Sequence, residues 1–232
     1  MAGIEIWKQI KEQGIEPSEK VFFEVGTGRV PLVSLAYWLM GADKIISMDL
    51  NPSMKEELII ESPDYISQNQ EEILSLFGAL IIERRFEKLL QLSKSEKFKI
   101  IDFFKMCQIS YIAPGDASDT QFSDQSIDFH TSYNVFEHIP KSMLKKILKE
   151  GNRIIKKDGL FIHIIDYSDH FSHSDKNISA INFLQYSDDD WDKYASNRYM
   201  YMNRIRHDDF LALFESSGQS TEHHLSPILV FY

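Results

Sequence analysis

Between residues 21 and 49 the hydrophobic period of the chain changes twice, and the order of the changes leaves few folds open. VFFEV (Val21–Val25) is a short, mostly apolar run that leads into glycine-rich sequence, the pattern of a buried parallel strand and its tight turn. Pro31 suits a first helical position, where its missing N–H leaves nothing unpaired. Leu32, Leu35, Ala36, Leu39 and Met40 then recur at helical spacing up to Gly41, a good left-handed stop. KIISMD (44–49) reads as a second short strand ending on a carboxylate, followed by the turn dipeptide Asn51-Pro52. One strand-helix-strand unit is complete in about thirty residues.

The remainder repeats the alternation with two interruptions. Residues 4–15 read as a short amphipathic helix, and 53–107 as a helical insertion or lid with a helix over 70–92 and a second apolar segment, KFKIIDFFKMC. Strands are expected at 109–113, closed by Pro114-Gly115-Asp116, and at 127–133. EHIP leads into a helix over 141–157 with Met143, Leu144, Ile147, Leu148, Ile154 and Ile155 as its buried stripe. Asp158-Gly159 turns the chain into LFIHIID, a strand ending at Asp166. Residues 167–206 form an aromatic-rich insertion, followed by a last helix over 208–217 with Gly218 as its stop and a final strand over 227–232. The fold class is α/β, a Rossmann-like, mostly parallel sheet with helices on both faces. The whole chain, 1–232, reads as a single domain, with insertions after the second and fifth strands.

Composition narrows the function classes. The apolar content of 43% supports one sizeable core, and no apolar run approaches the roughly 18 to 20 residues of a membrane span. The opening MAGIEIWKQIKEQG is amphipathic and partly acidic, which predicts neither a signal peptide nor a transmembrane helix. A single cysteine, Cys107, fits a reducing compartment, and a cytoplasmic location is expected. The formal charge of −10 opposes binding to nucleic-acid backbones. Arg198, Arg204 and Arg206 form a local basic cluster that suits either a phosphorylated ligand or a solvated helix flank.

Gly26 and Gly28, after a strand and before a helix, let the backbone pass close to a nucleotide. The dinucleotide pattern GxGxxG requires a third glycine where Pro31 stands, which disfavours NAD. Asp49 at the end of the second strand is placed to accept ribose hydroxyl protons, and Asp116 at the end of the third to receive an adenine amine. Either alone would read as a turn aspartate. Their occurrence at successive strand ends favours an adenosyl ligand.

These segments resemble the class I S-adenosylmethionine-dependent methyltransferases: EVGTGRVP the first motif, SMDLNP the second, PGDASDTQF the third, and SIDFHTSYNVFEHIP the strand and following motif of small-molecule members. The resemblance implies that Glu24, Gly26, Thr27 and Gly28 surround the methionine part and ribose, Asp49 and Leu50 hold the ribose, and Asp116 with Ala117 holds the adenine. By the same resemblance, Ser132 to Asn134 line the face from which the methyl group leaves. Two departures stand out: the family has a glycine near Val30 or Pro31, and it ends in a strand hairpin where this chain stops at Tyr232.

Methyl transfer to a hydroxyl requires a base near the carboxyl ends of the strands, and His138, Asp166 and His170 are the candidates. His163 reads as a strand residue packed in the sheet. HIIDYSDHFSHSD is rich in histidine and aspartate, but its spacing matches no specific metal motif, so no metal is expected and a divalent cation is the unfavoured alternative. The segments after Asp166 loosely resemble bacterial methyltransferases of polysaccharide and sugar gene clusters. That resemblance implies a small-molecule acceptor, a sugar or sugar-nucleotide hydroxyl, with Tyr167, Phe171, Phe183, Tyr186 and Trp191 as its wall and the arginines near Arg204 on a phosphate. No nucleic acid or membrane partner is expected, and a homo-oligomer is left open. The competing readings are a catalytically silent adenosyl-binding or interaction module and a nicotinamide-dependent oxidoreductase.

Overall fold

A computed structural model of the chain describes residues 1–95, 98–195 and 201–219. The expected strand over 227–232 and Arg198 lie outside the described residues.

Among the described residues, five strands form one parallel sheet: β1 (Val21–Val25), β2 (Lys44–Met48), β3 (Ile109–Ile112), β4 (Ile127–Tyr133) and β5 (Ile155–Ile164). Their spatial order is β3-β2-β1-β4-β5, so the chain runs outward from β1 to one edge, then returns to β4 on its other side. The ends of β1 and β4 therefore diverge at the reversal point, where open α/β sheets leave a crevice.

Strand alternation divides the core into two layers. Phe22, Ile45, Ile109, Phe129 and Ile162 face α1 (Ala2–Glu12), α2 (Leu32–Met40) and the helices α3 (Glu56–Gln68), α4 (Gln70–Phe77), α5 (Glu83–Ser93) and α6 (Ile100–Met106). Trp7 of α1 stacks on Phe22, which in turn stacks on Tyr37 of α2. Phe23, Val25, Ile46 and Met48 face the opposite way, onto α7 (Lys141–Ile154) and a C-terminal helix over 207–216. Burial of such aromatic and branched side chains supplies most of the stabilisation, about 25 cal/mol per Å² removed from water.

Two sequence expectations change. The helix expected over 70–92 is broken: Gly78, at φ +55°, ends α4, and a 3₁₀ turn over Gly78–Leu80 separates it from α5. The side chains Ile59, Ile66, Phe77, Phe86 and Leu89 of this region are buried in the same core cluster as Trp7 and Tyr37. The helix expected to reach residue 157 stops at Ile154, and Ile155 already pairs with Ile127. The Asp158-Gly159 turn lies inside β5 instead, as a register shift between the Ile127 and Phe129 pairs. A Cβ on Gly159 would stand 2.6 Å from the Asp128 carbonyl oxygen, so only glycine allows this approach. Asp128 pins the bulge by accepting from Lys156 Nζ at 2.8 and 2.9 Å and from the Val21 N–H at 2.9 Å.

Among the described residues β5 ends at Ile164, two residues short of the expected Asp166, while the αL stop at Gly41 (φ +117°) and the histidine packed in β5 are as expected: His163 is fully buried, 2.7 Å from Ser132 Oγ through Nδ1. Among the described residues no helix is long and apolar enough to cross a membrane.

Candidate functional site

The crevice is built from the carboxyl ends of β1 to β4. Gly26 leaves β1 at φ +82° with its N–H donating to the Met48 carbonyl at 2.8 Å. A Cβ there would lie 2.4 Å from Cγ2 of Val135, in the segment after β4, so glycine is required by conformation and by contact together. Gly28 is also left-handed, φ +73°, but a Cβ there would meet nothing, and its requirement is conformational alone. Gly26→Ala is expected to lower unfolding stability by about 3 kcal/mol, a sum of overpacking and left-handed strain. Denaturant midpoints would check this, and a loss under 1 kcal/mol would mean that Val135 moves aside freely.

Asp49 stands just beyond β2. Its Oδ1 accepts from the Thr27 N–H at 3.1 Å and its Oδ2 from the Tyr111 hydroxyl at 3.3 Å, so one carboxylate ties the glycine loop to β3. Burial raises the Asp49 pKa, partly offset by the hydrogen bonds from the loop and Tyr111. Around it opens a cavity of about 260 Å³ whose walls include Gly26, Asp49, Leu50, Asp116, Ala117 and His138, over an apolar floor of Val25, Met48, Met143 and Ile147. Asp116 is exposed on the rim, where Oδ1 accepts the Ser118 N–H at 2.8 Å and Oδ2 is left for a ligand. Leu50 is exposed at the mouth.

Five of the residues predicted for the donor do not line this cavity: Thr27 and Gly28 of the loop, and Glu24, Ser132 and Asn134, which sit elsewhere. Glu24 shares the face of Phe22, pointing beneath the glycine loop and away from the crevice. It is 2% exposed, and Oε2 accepts from Ser47 Oγ at 2.8 Å and from Ser34 Oγ, while Thr27 Oγ1 is bonded to Ser47. Ser132 is likewise buried, bonded to His163. Asn134, at φ +52°, faces a second cavity. Glu24 and Ser132 thus support the strand ends rather than line the crevice.

Burial, opposed by the two serine hydrogen bonds, raises the Glu24 pKa from 4.5 to about 7. A carboxyl with a higher pKa in the folded state keeps its proton there while the unfolded chain loses it, so this contribution to stability falls as pH rises from about 4.5 to 7. Between pH 5 and 8 the loss is on the order of 3 kcal/mol. Glu24→Gln removes it, and the pH dependence of the unfolding free energy should flatten by that amount. An unchanged slope would contradict a protonated Glu24.

The second cavity, about 350 Å³, opens beyond the ends of β4 and β5 and is lined by Tyr133, Asn134, Asp166, Tyr167, His173 and Arg206, among others. Asp166 Oδ1 accepts from Ser168 N–H at 2.8 Å and Ser168 Oγ at 2.6 Å, and Oδ2 faces His170 Nε2 at 3.4 Å and His173 Nε2 at 3.5 Å. Burial pushes the Asp166 pKa up, but the Ser168 bonds and the two imidazoles outweigh it and hold it below the usual range. Burial and the neighbouring His138 lower the His170 pKa against the pull of Asp166. The His138 and His170 ring centroids are 4.9 Å apart. His138 faces the first cavity and Asp166 the second, so the three candidate bases are contiguous and span both.

Three residues of this site escaped the sequence reading. Val135 and Tyr111 act through packing and a long-range hydrogen bond that no local pattern signals. Glu137, beside His138 in EHIP, is 2% exposed, and burial raises its pKa from 4.5 to about 8. The aromatic segment also differs from the expected wall: Phe183, Trp191 and Met202 form their own small core with Phe171 and Tyr186, leaving Tyr167 on the cavity. Arg204 is committed to the Phe183 and Tyr186 carbonyls and to Asp188, whereas Arg206 lines the cavity with a bond to the Tyr167 carbonyl at 2.7 Å.

Comparison with known proteins fits this geometry. Residues 81–163, from α5 through β5, match the model of a methyltransferase domain family. No curated protein sequence matches the chain. Among solved structures, a candidate O-methyltransferase from Nostoc punctiforme superposes with a TM-score of 0.52 at 12% identity, over 94% of this chain and 50% of that one. A candidate S-adenosyl-L-methionine-dependent methyltransferase from Methanococcus maripaludis gives 0.49 at 14% identity, over 94% and 77%. Phosphoethanolamine N-methyltransferase 2 of Haemonchus contortus gives 0.47 at 13%, over 92% and 36%. Residues 81–163 thus match a methyltransferase domain, and the superposition on the Nostoc structure shows that the chain shares its α/β fold.

Proposed function

We propose that the chain transfers a methyl group from S-adenosylmethionine to a hydroxyl of a small polar acceptor, a sugar or sugar nucleotide. The observation that carries this reading is the continuity of His138, His170 and Asp166 between two cavities at the carboxyl end of one sheet. One cavity then takes the donor and the other the acceptor, with proton-accepting groups at their junction.

The first cavity fits the donor on its own residues. The left-handed Gly26-Thr27-Gly28 loop brings backbone close to the crevice, Asp49 presents a carboxylate to the ribose with Leu50 beside it, and Asp116 with Ala117 flanks an adenine-sized apolar space. When bound, the donor supplies an electrophilic methyl on a sulfonium, so one S–C bond breaks as one O–C bond forms. The chain's own work is positioning: Val135 against Gly26 fixes the gap between the β1 and β4 ends, and His170 or His138 accepts the hydroxyl proton. Arg206 and Tyr167 hold the acceptor in the second cavity. A hydroxyl, unlike a free amine, needs that base, which is why the cluster supports O-methylation.

The test is transfer of label from methyl-labelled donor to a panel of sugar nucleotides, free sugars, phenols and amines. Label on a sugar hydroxyl supports the full reading. Label on amines only would overturn the acceptor assignment, and no transfer to any acceptor would favour a silent adenosyl-binding module.

A further inference from the structure

We propose that the cluster at the junction of the two cavities binds one divalent transition-metal cation, held by Asp166, His170 and His173 and closed from the donor side by Glu137 and His138. The ligand atoms of Asp166, His170 and His173 all lie within 4.8 Å of one another, as do those of Glu137, His138 and His170, and the two triads share His170. Oδ2 of Asp166 stands 3.4 and 3.5 Å from the two Nε2 atoms, beyond the normal range of hydrogen bonds. A tetrahedral ion with bonds of about 2.0 to 2.1 Å sets its ligand atoms about 3.3 to 3.4 Å apart.

The polar atoms that this cluster leaves unsatisfied point the same way. Glu137 is 2% exposed, its carboxylate meets the Glu137 and Asp166 backbone only at poor hydrogen-bond geometry, and the enclosed His170 Nε2 meets Asp166 Oδ2 only at 3.4 Å. Buried carboxylates of this kind are stable when paired or coordinated. Among the described residues no Lys or Arg makes an ion pair with Glu137 or Asp166, so no side-chain ammonium or guanidinium competes for these oxygens.

Supporting contacts are already in place. His138 Nδ1 lies 2.9 Å from the Tyr201 carbonyl oxygen, which only accepts, so Nδ1 carries the proton and Nε2 keeps its lone pair for a metal. Ser168 holds Asp166 Oδ1 through N–H and Oγ, which turns Oδ2 toward the imidazoles. Ser168 Oγ also lies 2.8 Å from His173 Nε2 and exchanges that contact for the metal bond. Three imidazoles with two carboxylates and no thiolate favour zinc, cobalt, nickel, iron(II) or manganese over magnesium or calcium.

The binding claim stands on this geometry alone; the cation's role rests on the proposed methyl transfer: with His138 and His170 as its ligands neither imidazole takes the proton, and the acceptor hydroxyl polarised by the cation loses it to water. The experiment is a cobalt(II) titration of the full chain after chelator treatment, read by visible d–d absorption and by metal content after dialysis. One cobalt per chain is expected, with affinity at least tenfold weaker in His170→Ala, Asp166→Asn and Glu137→Gln and unchanged in His207→Ala. His170→Ala and Asp166→Asn alter half-buried groups, so they keep the test valid where Glu137→Gln disturbs folding. Absence of saturable cobalt binding, or binding unchanged in His170→Ala and Asp166→Asn, would overturn the site. A parallel titration with S-adenosylhomocysteine separates the claims: nucleoside binding without cobalt binding sinks the metal site alone, and cobalt binding without nucleoside binding sinks the methyl-transfer reading alone.

Discussion

Asp49→Asn is expected to weaken S-adenosylhomocysteine binding by at least 100-fold. The carboxylate has two oxygens, engaged at 3.1 Å by the Thr27 N–H and at 3.3 Å by the Tyr111 hydroxyl, with lone pairs left for ribose hydroxyls. Asparagine keeps one acceptor oxygen and turns an NH₂ group toward donors. A hydrogen bond to a charged group contributes about 1.5 to 3 kcal/mol, so loss of two corresponds to at least a hundredfold in affinity. Part of the loss would come through the loop, since Thr27 also bonds Ser47 and through it Glu24. Calorimetric titration measures the effect directly, and a change of threefold or less would remove Asp49 from the donor site.

The second large effect is on turnover. His170→Ala is expected to lower kcat at least 100-fold while S-adenosylhomocysteine affinity stays within twofold, because His170 lies at the junction and does not line the cavity proposed for the donor. Removing its ring leaves Asp166 Oδ2 facing only His173 and separates His138 from Asp166. The split between kcat and donor affinity matters here: a packing role would lower stability and both constants together. Unchanged turnover would return His170 to a solvated-loop role.

The glycine-loop side of the crevice is legible in the sequence because it is local. Strand, glycine turn, helix and second strand follow one another between Val21 and Asp49, and each boundary has its own signal in Gly26, Pro31, Gly41 and Asn51-Pro52. Side-chain direction was readable too, though less obviously. Val25 and Phe23 face the layer of Met48 and Ile46, so period-2 alternation already turns Glu24 to the opposite side, with Phe22. Ser132 is not turned away by this rule: it pairs with Val25 and shares that face, and its bond to the buried His163 keeps it out of the crevice.

What stayed illegible depends on distance along the chain. The contact between Gly26 and Val135 joins residues that only the β1–β4 pairing brings together. The junction joins Glu137 and His138, after β4, to Asp166, His170 and His173, after β5, and no spacing rule links two loops. HIIDYSDHFSHSD therefore matches no metal motif when read linearly, because the segment supplies one side of the cluster and EHIP the other. The break at Gly78 was hidden by apolar residues that continue at helical spacing on both sides of it.

Calorimetric titration of the full chain with S-adenosylhomocysteine and, separately, with NAD tests the central claim most directly. Saturable, micromolar binding of S-adenosylhomocysteine at one site per chain, with no heat from NAD, is predicted by the Gly26 to Gly28 loop, Asp49 and Asp116 acting together. Micromolar NAD binding with none of S-adenosylhomocysteine would contradict it.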